Sequence, residues 1–417
     1  MHYYIKTGFT LKPVLKSFFI LIAISTLCTC IDPFNPKLCG YMSLLVVDGL
    51  ITDSNNSNTI SLSRTFQDTN TSPVMISDAT VYITDNNENS SYLINRGNGI
   101  YKTDSIEFKG IPGRTYVLHI QTDGTIYESN PCIMQSVPEI DSIYFEKEEE
   151  LINNGTQSQK GIGIYVDSKG VDKNQFYRWA FDETWKFKIP YPKRFNFNMA
   201  DSAVTGVDNV KEFCWKTRKS GDILIYSNYS GQPLPIKKEP IFFIAADQSD
   251  RLLIQYSILV NQYSISKEEY DFWNNLKQVN ESGGDIFSKI PYTVVSNIKN
   301  VNNPKERVLG FFQVSAVKQK RKNITLSDIA GLNLPYFHNS CERFVKDPSD
   351  YPKGPGVPPT TWAEIYSMWC VTSDYYFVEP QYSSGSNNSK MVFAKPECAN
   401  CELTGTSKKP DFWVDLN

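Results

Sequence analysis

Residues 176–188 read Phe-Tyr-Arg-Trp-Ala-Phe-Asp-Glu-Thr-Trp-Lys-Phe-Lys. Side chains alternate across an extended strand. Tyr177, Trp179, Phe181, Glu183, Trp185 and Phe187 therefore share one face, and Phe176, Arg178, Ala180, Asp182, Thr184 and Lys186 share the other. An aromatic wall backed by a mostly charged face reads as the central strand of a β-sandwich. Glu183 stands inside that wall, and a buried carboxylate needs a partner. Asp182 and Glu183 point to opposite faces, so they cannot work together as the carboxylate pair of a glycosidase.

Shorter alternating segments precede it. Leu44–Val47 ends at the turn Asp48-Gly49; Thr59–Ser63 and Ala79–Thr84 alternate, and Asp85-Asn86-Asn87 closes the latter. Turn signals every 8–12 residues belong to a sandwich. Pro112-Gly113 followed by Tyr116 resembles the tyrosine corner of immunoglobulin-like sandwiches, where the hydroxyl bonds to upstream backbone. Val74, Ala79-x-Val81-x-Ile83, Gly99-x-Tyr101 and Gly113-x-x-Tyr116-x-Leu118 also resemble the prealbumin-like sandwich. A length of 417 residues suggests two or three domains. The expected division is a β-sandwich over 41–136 and a larger β-rich domain over 137–417, with Val137-Pro138-Glu139 at the boundary. The fold class is mainly β, with one clear helix at about 266–281. There Ser266-Lys267-Glu268-Glu269 reads as a capping box and Ile265 with Tyr270 as a hydrophobic staple. A strand is also expected at 292–295.

The N-terminus carries Lys6, Lys12 and Lys16, then an apolar run from Ser17 to Ile24. That run is short for a bilayer span and suits a signal-peptide core. Leu27, three residues before Cys30, resembles a bacterial lipobox, so 1–29 is expected to be a lipoprotein signal, Cys30 the lipid-bearing residue and 30–40 a tether. Cys28 is the rival site, although Ser25 then stands where Leu is wanted. Seven cysteines follow: Cys39, Cys132, Cys214, Cys341, Cys370, Cys398 and Cys401. Export permits disulfides, and an odd number leaves at least one thiol outside any internal pair. Cys398-Ala399-Asn400-Cys401 has CxxC spacing without a second CxxC for a zinc ribbon, and reads as a structural staple.

The net charge of −3 argues against non-specific nucleic-acid binding, which needs a basic footprint. Past the leader only His119 and His338 remain, and no metalloprotease helix, nucleophile elbow, P-loop or dinucleotide fingerprint is present. Asp53 and Asp85–Asn89 lie in Asn-rich turns without EF-hand spacing. No catalytic residue, metal or cofactor is expected. Lys318-Gln319-Lys320-Arg321-Lys322 reads as a solvated strand end, with an anionic surface as the sharper alternative. The segment 347–360 is a loop rich in Pro and Gly, and such loops often carry recognition. Tyr351 is its only aromatic and Lys353 its nearby charge, which makes them the candidate partner contacts.

Several motifs in combination resemble one family. They are Cys30-Ile31-Asp32-Pro33-Phe34, Leu45-Val46-Val47-Asp48-Gly49, Val137-Pro138-x-Ile140-Asp141-Ser142-Ile143, Phe176-Tyr177-Arg178-Trp179, Val308-Leu309-Gly310-Phe311-Phe312, and Cys398-x-x-Cys401 with Pro410-Asp411-Phe412-Trp413. The chain is similar to the domain-of-unknown-function 4249 family of Bacteroidota lipoproteins. The resemblance brings no activity and no catalytic residues. It implies an outer-membrane, lipid-anchored protein that works as a binding or accessory subunit beside a TonB-dependent outer-membrane receptor. The alternatives are a surface adhesin or structural envelope protein and, third, an unrecognised hydrolase using carboxylates. The ligand is not given by the sequence.

Overall fold

The structure, a computed structural model, describes residues 43–66, 72–152, 155–170, 176–228, 234–282, 294–332, 334, 341–382 and 389–416. The leader, Cys30, Cys39 and His338 lie outside the described residues. The chain is mainly β.

Strand Leu45–Ile51 buries Leu45, Val47 and Ile51 completely, as its alternation requires. It pairs antiparallel with Thr59–Arg64 and parallel with Leu309–Val314. The first sheet runs Leu309–Val314, Leu45–Ile51, Thr59–Arg64, Ile100–Lys102, Ile94–Asn95. The second runs Ile298–Asn300, Thr125–Ser129, Thr115–Thr122, Thr80–Asp85, Ser90–Tyr92. One apolar core joins them, with Leu62, Val81, Ile83, Leu118 and Ile120 at its centre. Residues 41–136 thus do not complete this unit. Each sheet takes an edge strand from 298–314, because the free edges of Leu45–Ile51 and Thr125–Ser129 both need backbone partners. Of the strand expected at 292–295, residues 292 and 293 lie outside the described residues and 294–295 are not in a strand; Ile298–Asn300 forms the edge strand instead.

Two details fix that closure. Gly310 has φ +85°, and a Cβ there would stand 1.9 Å from the Val47 carbonyl oxygen, so only glycine fits against the neighbouring strand. Asn297 accepts the Phe312 N–H at 2.9 Å and donates to the Phe312 carbonyl at 2.8 Å, standing in for a strand residue. The Tyr116 hydroxyl accepts the Ile111 N–H at 2.8 Å, the upstream bond expected of the corner. Tyr101 makes a second latch, accepting from Ala79 N–H at 2.9 Å and donating to the Ile76 carbonyl at 3.0 Å.

The Phe176–Lys188 strand lies at the centre of a second body. It pairs along its length with Gln255–Ser264, and on its other edge with Phe213–Lys219 and Leu224–Ser227. Val317–Thr325 extends the sheet beyond Gln255–Ser264. Tyr177, Trp179, Phe181 and Phe187 are all under 4% exposed, so the aromatic face is the core face. Burying each such side chain contributes roughly 1.5–3 kcal/mol. The facing sheet, Ile140–Ile152, Gln157–Ser168 and Ile236–Ala245, sends Ile143, Ile162, Ile164 and Ile244 into the same core.

Two buried polar groups at the centre of this body, Glu183 and Gln262, have partners. Glu183, 1% exposed, meets Arg251 at 3.1 Å and Arg218 at 3.9 Å, and accepts the Tyr256 hydroxyl at 3.0 Å. Burial pushes its carboxyl above the ordinary range, opposed by Arg251, Tyr256 and Arg218. Gln262 accepts the Trp179 indole N–H at 3.0 Å and donates to the Pro138 carbonyl and the Ser168 hydroxyl, both at 2.9 Å. That network anchors the 137–139 junction to the sheet. The basic run lies on a solvent-facing strand with local partners: Lys318 pairs with Glu139, Lys320 donates to the Ile140 and Asp141 carbonyls, and the Arg321 guanidinium covers Phe412 at 3.6 Å.

The helix spans Lys267–Ser282. Ser266 Oγ accepts the Glu269 N–H at 3.1 Å, and Ile265 and Tyr270 pack in one cluster as the staple requires. The Glu269 side chain turns inward. It lies 4.0 Å from Arg178 Nε and accepts from Trp273 Nε1 at 3.4 Å and Ser315 Oγ at 3.3 Å. Arg178 is stacked between Tyr263 and Trp273 and donates to Gln313 at 3.1 Å. Gln313 and Ser315 come from the edge strand of the first unit and the bridge that follows it, so this cluster ties both bodies together. Burial pushes the Glu269 carboxyl up to about 7, against the pull of Arg178.

Candidate functional site

The last unit is small. Its sheet runs Phe344–Lys346, Ser389–Ala394, Tyr376–Tyr382, beside the hairpin Phe195–Phe197 and Val204–Gly206. Two disulfides hold it: Cys341–Cys398 within the unit, and Cys214–Cys401 to the large sheet. The two cysteines of the CxxC are therefore not bonded to each other. Each staples a different distant segment, which is the structural role expected of them. Among the described residues Cys132 and Cys370 form no disulfide. Burial pushes their thiols up to about 12 and about 11. A reactive cysteine needs an accessible, low-pKa thiol, so neither is built as a nucleophile.

The 347–360 loop folds onto this unit by its own sequence. Asp347 accepts the Ser349 N–H at 2.9 Å while Asp350 accepts the Asp347 N–H at 2.8 Å, closing a turn over Pro348–Asp350. Thr361 and Glu364 form a reciprocal capping box that starts the helix Trp362–Tyr366, which runs on as a π-helical turn over Ser367–Thr372. π-Turns are frequent at functional sites. Lys353 Nζ reaches Glu364 at 2.8 Å, and this bond with the Thr361 cap lowers the Glu364 carboxyl to about 2. Thr360 Oγ1 donates to the Tyr351 carbonyl at 2.6 Å and so ties the ends of the loop together.

The result is a groove of ≈ 560 Å³ lined by Asp347, Pro348, Tyr351, Pro352, Lys353, Val357, Pro359 and Trp362. Behind it stands an aromatic cluster. Trp369 is stacked on Phe393 at 5.4 Å and lies 5.3 Å from Phe344, and its indole N–H donates to the Tyr351 hydroxyl at 2.9 Å. Tyr351 is thus half anchor and half surface. Lys353 is fixed by Glu364 and is not a free cation. Trp362 was not singled out from the sequence, because its approach to Tyr351 and Val357 depends on how the loop returns. Val357, in the groove wall, is exposed, and so are Met368 and Val371 of the following π-helical turn.

The other sequence candidates resolve into structural roles. His119 is stacked on Tyr82 at 4.5 Å and contacts Thr84 and Glu128. Asp85 closes its own hairpin through Asn87 and Asn89 and pairs with Arg114, while Asp53 accepts the Val317 N–H. Asp182 and Glu183 do face opposite ways, Glu183 into the core and Asp182 outward. Among the described residues no group of three His, Cys, Asp or Glu is placed to hold a metal ion.

No curated protein matches the chain. Residues 31–321 match the family described as a domain of unknown function (DUF4249), a span that takes in most of both two-sheet bodies, ends within the strand Val317–Thr325 and stops before the groove. The chain belongs to the DUF4249 family.

Proposed function

We propose that this is a non-enzymatic envelope lipoprotein, held at the outer membrane by lipid on Cys30, that binds a TonB-dependent receptor as its accessory subunit. The observation that carries the reading is the groove at 347–362: a proline-stiffened aromatic surface fixed by caps, an ion pair and two disulfides. A loop ordered before binding loses less entropy on docking, and tyrosine and tryptophan are the residues that most often dominate interfaces. The closed partners of Glu183 and the divergent Asp182 support a binding role over carboxylate catalysis.

The test is affinity purification of the tagged chain from native membranes. A TonB-dependent receptor should co-purify with the parent chain, and its yield should fall at least tenfold when 352–359 is replaced by a Gly/Ser linker of equal length. Equal recovery from a folded variant would show that the loop is a connector. Acyl labelling of the parent and of Cys30→Ser tests the anchor; label retained by the variant rules that assignment out.

A further inference from the structure

A second concavity, of ≈ 380 Å³, lies at the seam between the two bodies. One wall is the turn at 52–59 and the other is the outer face of the sheet containing Phe176–Lys188. Asn58, Asn261 and Tyr263, which line it, are almost wholly buried, and Gln319, which also lines it, is exposed. Asn58 is 4% exposed; its Oδ1 takes the Thr52 N–H and hydroxyl, yet its Nδ2 has no partner among the described residues. Asn261, 7% exposed, accepts Gln319 Nε2 at 2.6 Å, which leaves its own Nδ2 and the Gln319 Oε1 without partners among the described residues. Tyr263 is 9% exposed, its ring face covered by Arg178 and its hydroxyl unpartnered among the described residues. Asp182 and Lys219 sit opposite one another across the ladder and make no ion pair within 4.0 Å.

Of these atoms Asn58 Nδ2 is the one buried without a partner among the described residues; buried polar groups are nearly always hydrogen-bonded, so it calls for an acceptor from an occupant, and the open groups of Asn261, Tyr263 and Gln319 line the same cleft. The open set mixes donors with acceptors and carries one negative and one positive side chain. An anion would meet Asp182, a cation would meet Lys219 and the amide N–H groups, and an apolar ligand would leave every one of these groups unsatisfied. A hydroxyl both donates and accepts, so a run of hydroxyls on a rigid ring suits the set. The volume falls at the small end of ligand pockets, which run from about 300 to 1,000 Å³. We propose that the seam cleft binds a neutral, hydroxyl-rich ligand of monosaccharide size. This site is separate from the 347–362 groove, and its standing does not depend on receptor binding.

Saturation-transfer NMR on the full-length chain in detergent tests it, with D-glucose, D-galactose, D-mannose and N-acetyl-D-glucosamine as probes. At least one should receive saturation from the protein. That signal should fall at least fivefold in Asp182→Ala and in Asn261→Leu, and stay unchanged in Tyr351→Ala. Asp182 is only partly buried, so its variant keeps the test valid if Asn261→Leu fails to fold. No transfer to any of the four sugars would mean that ordered water satisfies the cleft, and the proposal falls. It falls equally if transfer survives in a folded Asp182→Ala chain.

Discussion

The first two-sheet unit and the C-terminal unit reach a closed structure by different means. The first has ten strands on its two main sheet paths, a core of more than twenty side chains, and one cysteine, Cys132, which forms no disulfide among the described residues. The C-terminal unit has a three-stranded sheet and two small clusters, five buried residues around Phe393 and five around Val392, and it is held by two disulfides. Small units bury too little surface to hold themselves, and cross-links make up the difference. The contrast also separates roles. A ladder-built body supplies a rigid frame, while a stapled unit can present an irregular loop without a large core beneath it.

The largest expected effect is in the ladder-built second body. Trp179→Ala should lower stability by about 3–5 kcal/mol, through the cavity left and the loss of the Gln262 bond. Denaturant unfolding followed by tryptophan fluorescence checks it, and this loss should be insensitive to reductant. Next comes the staple. Cys341→Ser should destabilise the C-terminal unit by roughly 2–4 kcal/mol. Limited proteolysis should then cut within 341–382 while the first unit remains intact. Loss of protection across the whole chain would show that the units are not independent, and the contrast would fail.

The third prediction concerns the cluster that joins the bodies. Glu269 has its carboxyl raised in the fold to about 7, above its ordinary 4.5. The folded chain therefore holds this proton more tightly than the unfolded chain. Its contribution to stability is greatest at low pH and declines as pH rises from about 4.5 to 7. Unfolding midpoints across that window should fall in the parent and level out in Glu269→Gln. An identical slope in both would place the titration elsewhere. The smallest effect is at the corner: Tyr116→Phe should cost about 1 kcal/mol, one ordinary hydrogen bond. No change in the midpoint would show that Tyr101 and the ladders already fix that turn.

What the sequence discloses follows from how local each signal is. The two faces of Phe176–Lys188, the Tyr116 corner and the Ser266 cap all arise within a few residues, so spacing alone reveals them. The parallel pairing of Leu45–Ile51 with Leu309–Val314 leaves no local trace. Nor does the pairing of Cys214 with Cys401, since CxxC spacing draws attention to the wrong bond. At the candidate site the loop and Tyr351 were visible from composition. The Trp369 bond that half-commits Tyr351 to the core, and the Glu364 bond that fixes Lys353, depend on a chain return that no periodicity encodes. Glu183 was legible as a problem, a carboxylate among aromatics; its solution in Arg251, Arg218 and Tyr256 was not.

The late edge strands of the first unit have a kinetic consequence. A chain synthesised from its N-terminus presents Leu45–Ile51 long before Leu309–Val314 arrives, and Thr125–Ser129 long before Ile298–Asn300. Until then both sheets have an open side, and contacts of such long sequence separation form slowly. The intervening body must emerge before the first can finish. This order of events leaves two unpaired strand edges exposed until the later strands arrive. Moving 298–314 directly after residue 136 in a permuted chain would close the unit early and remove that delay.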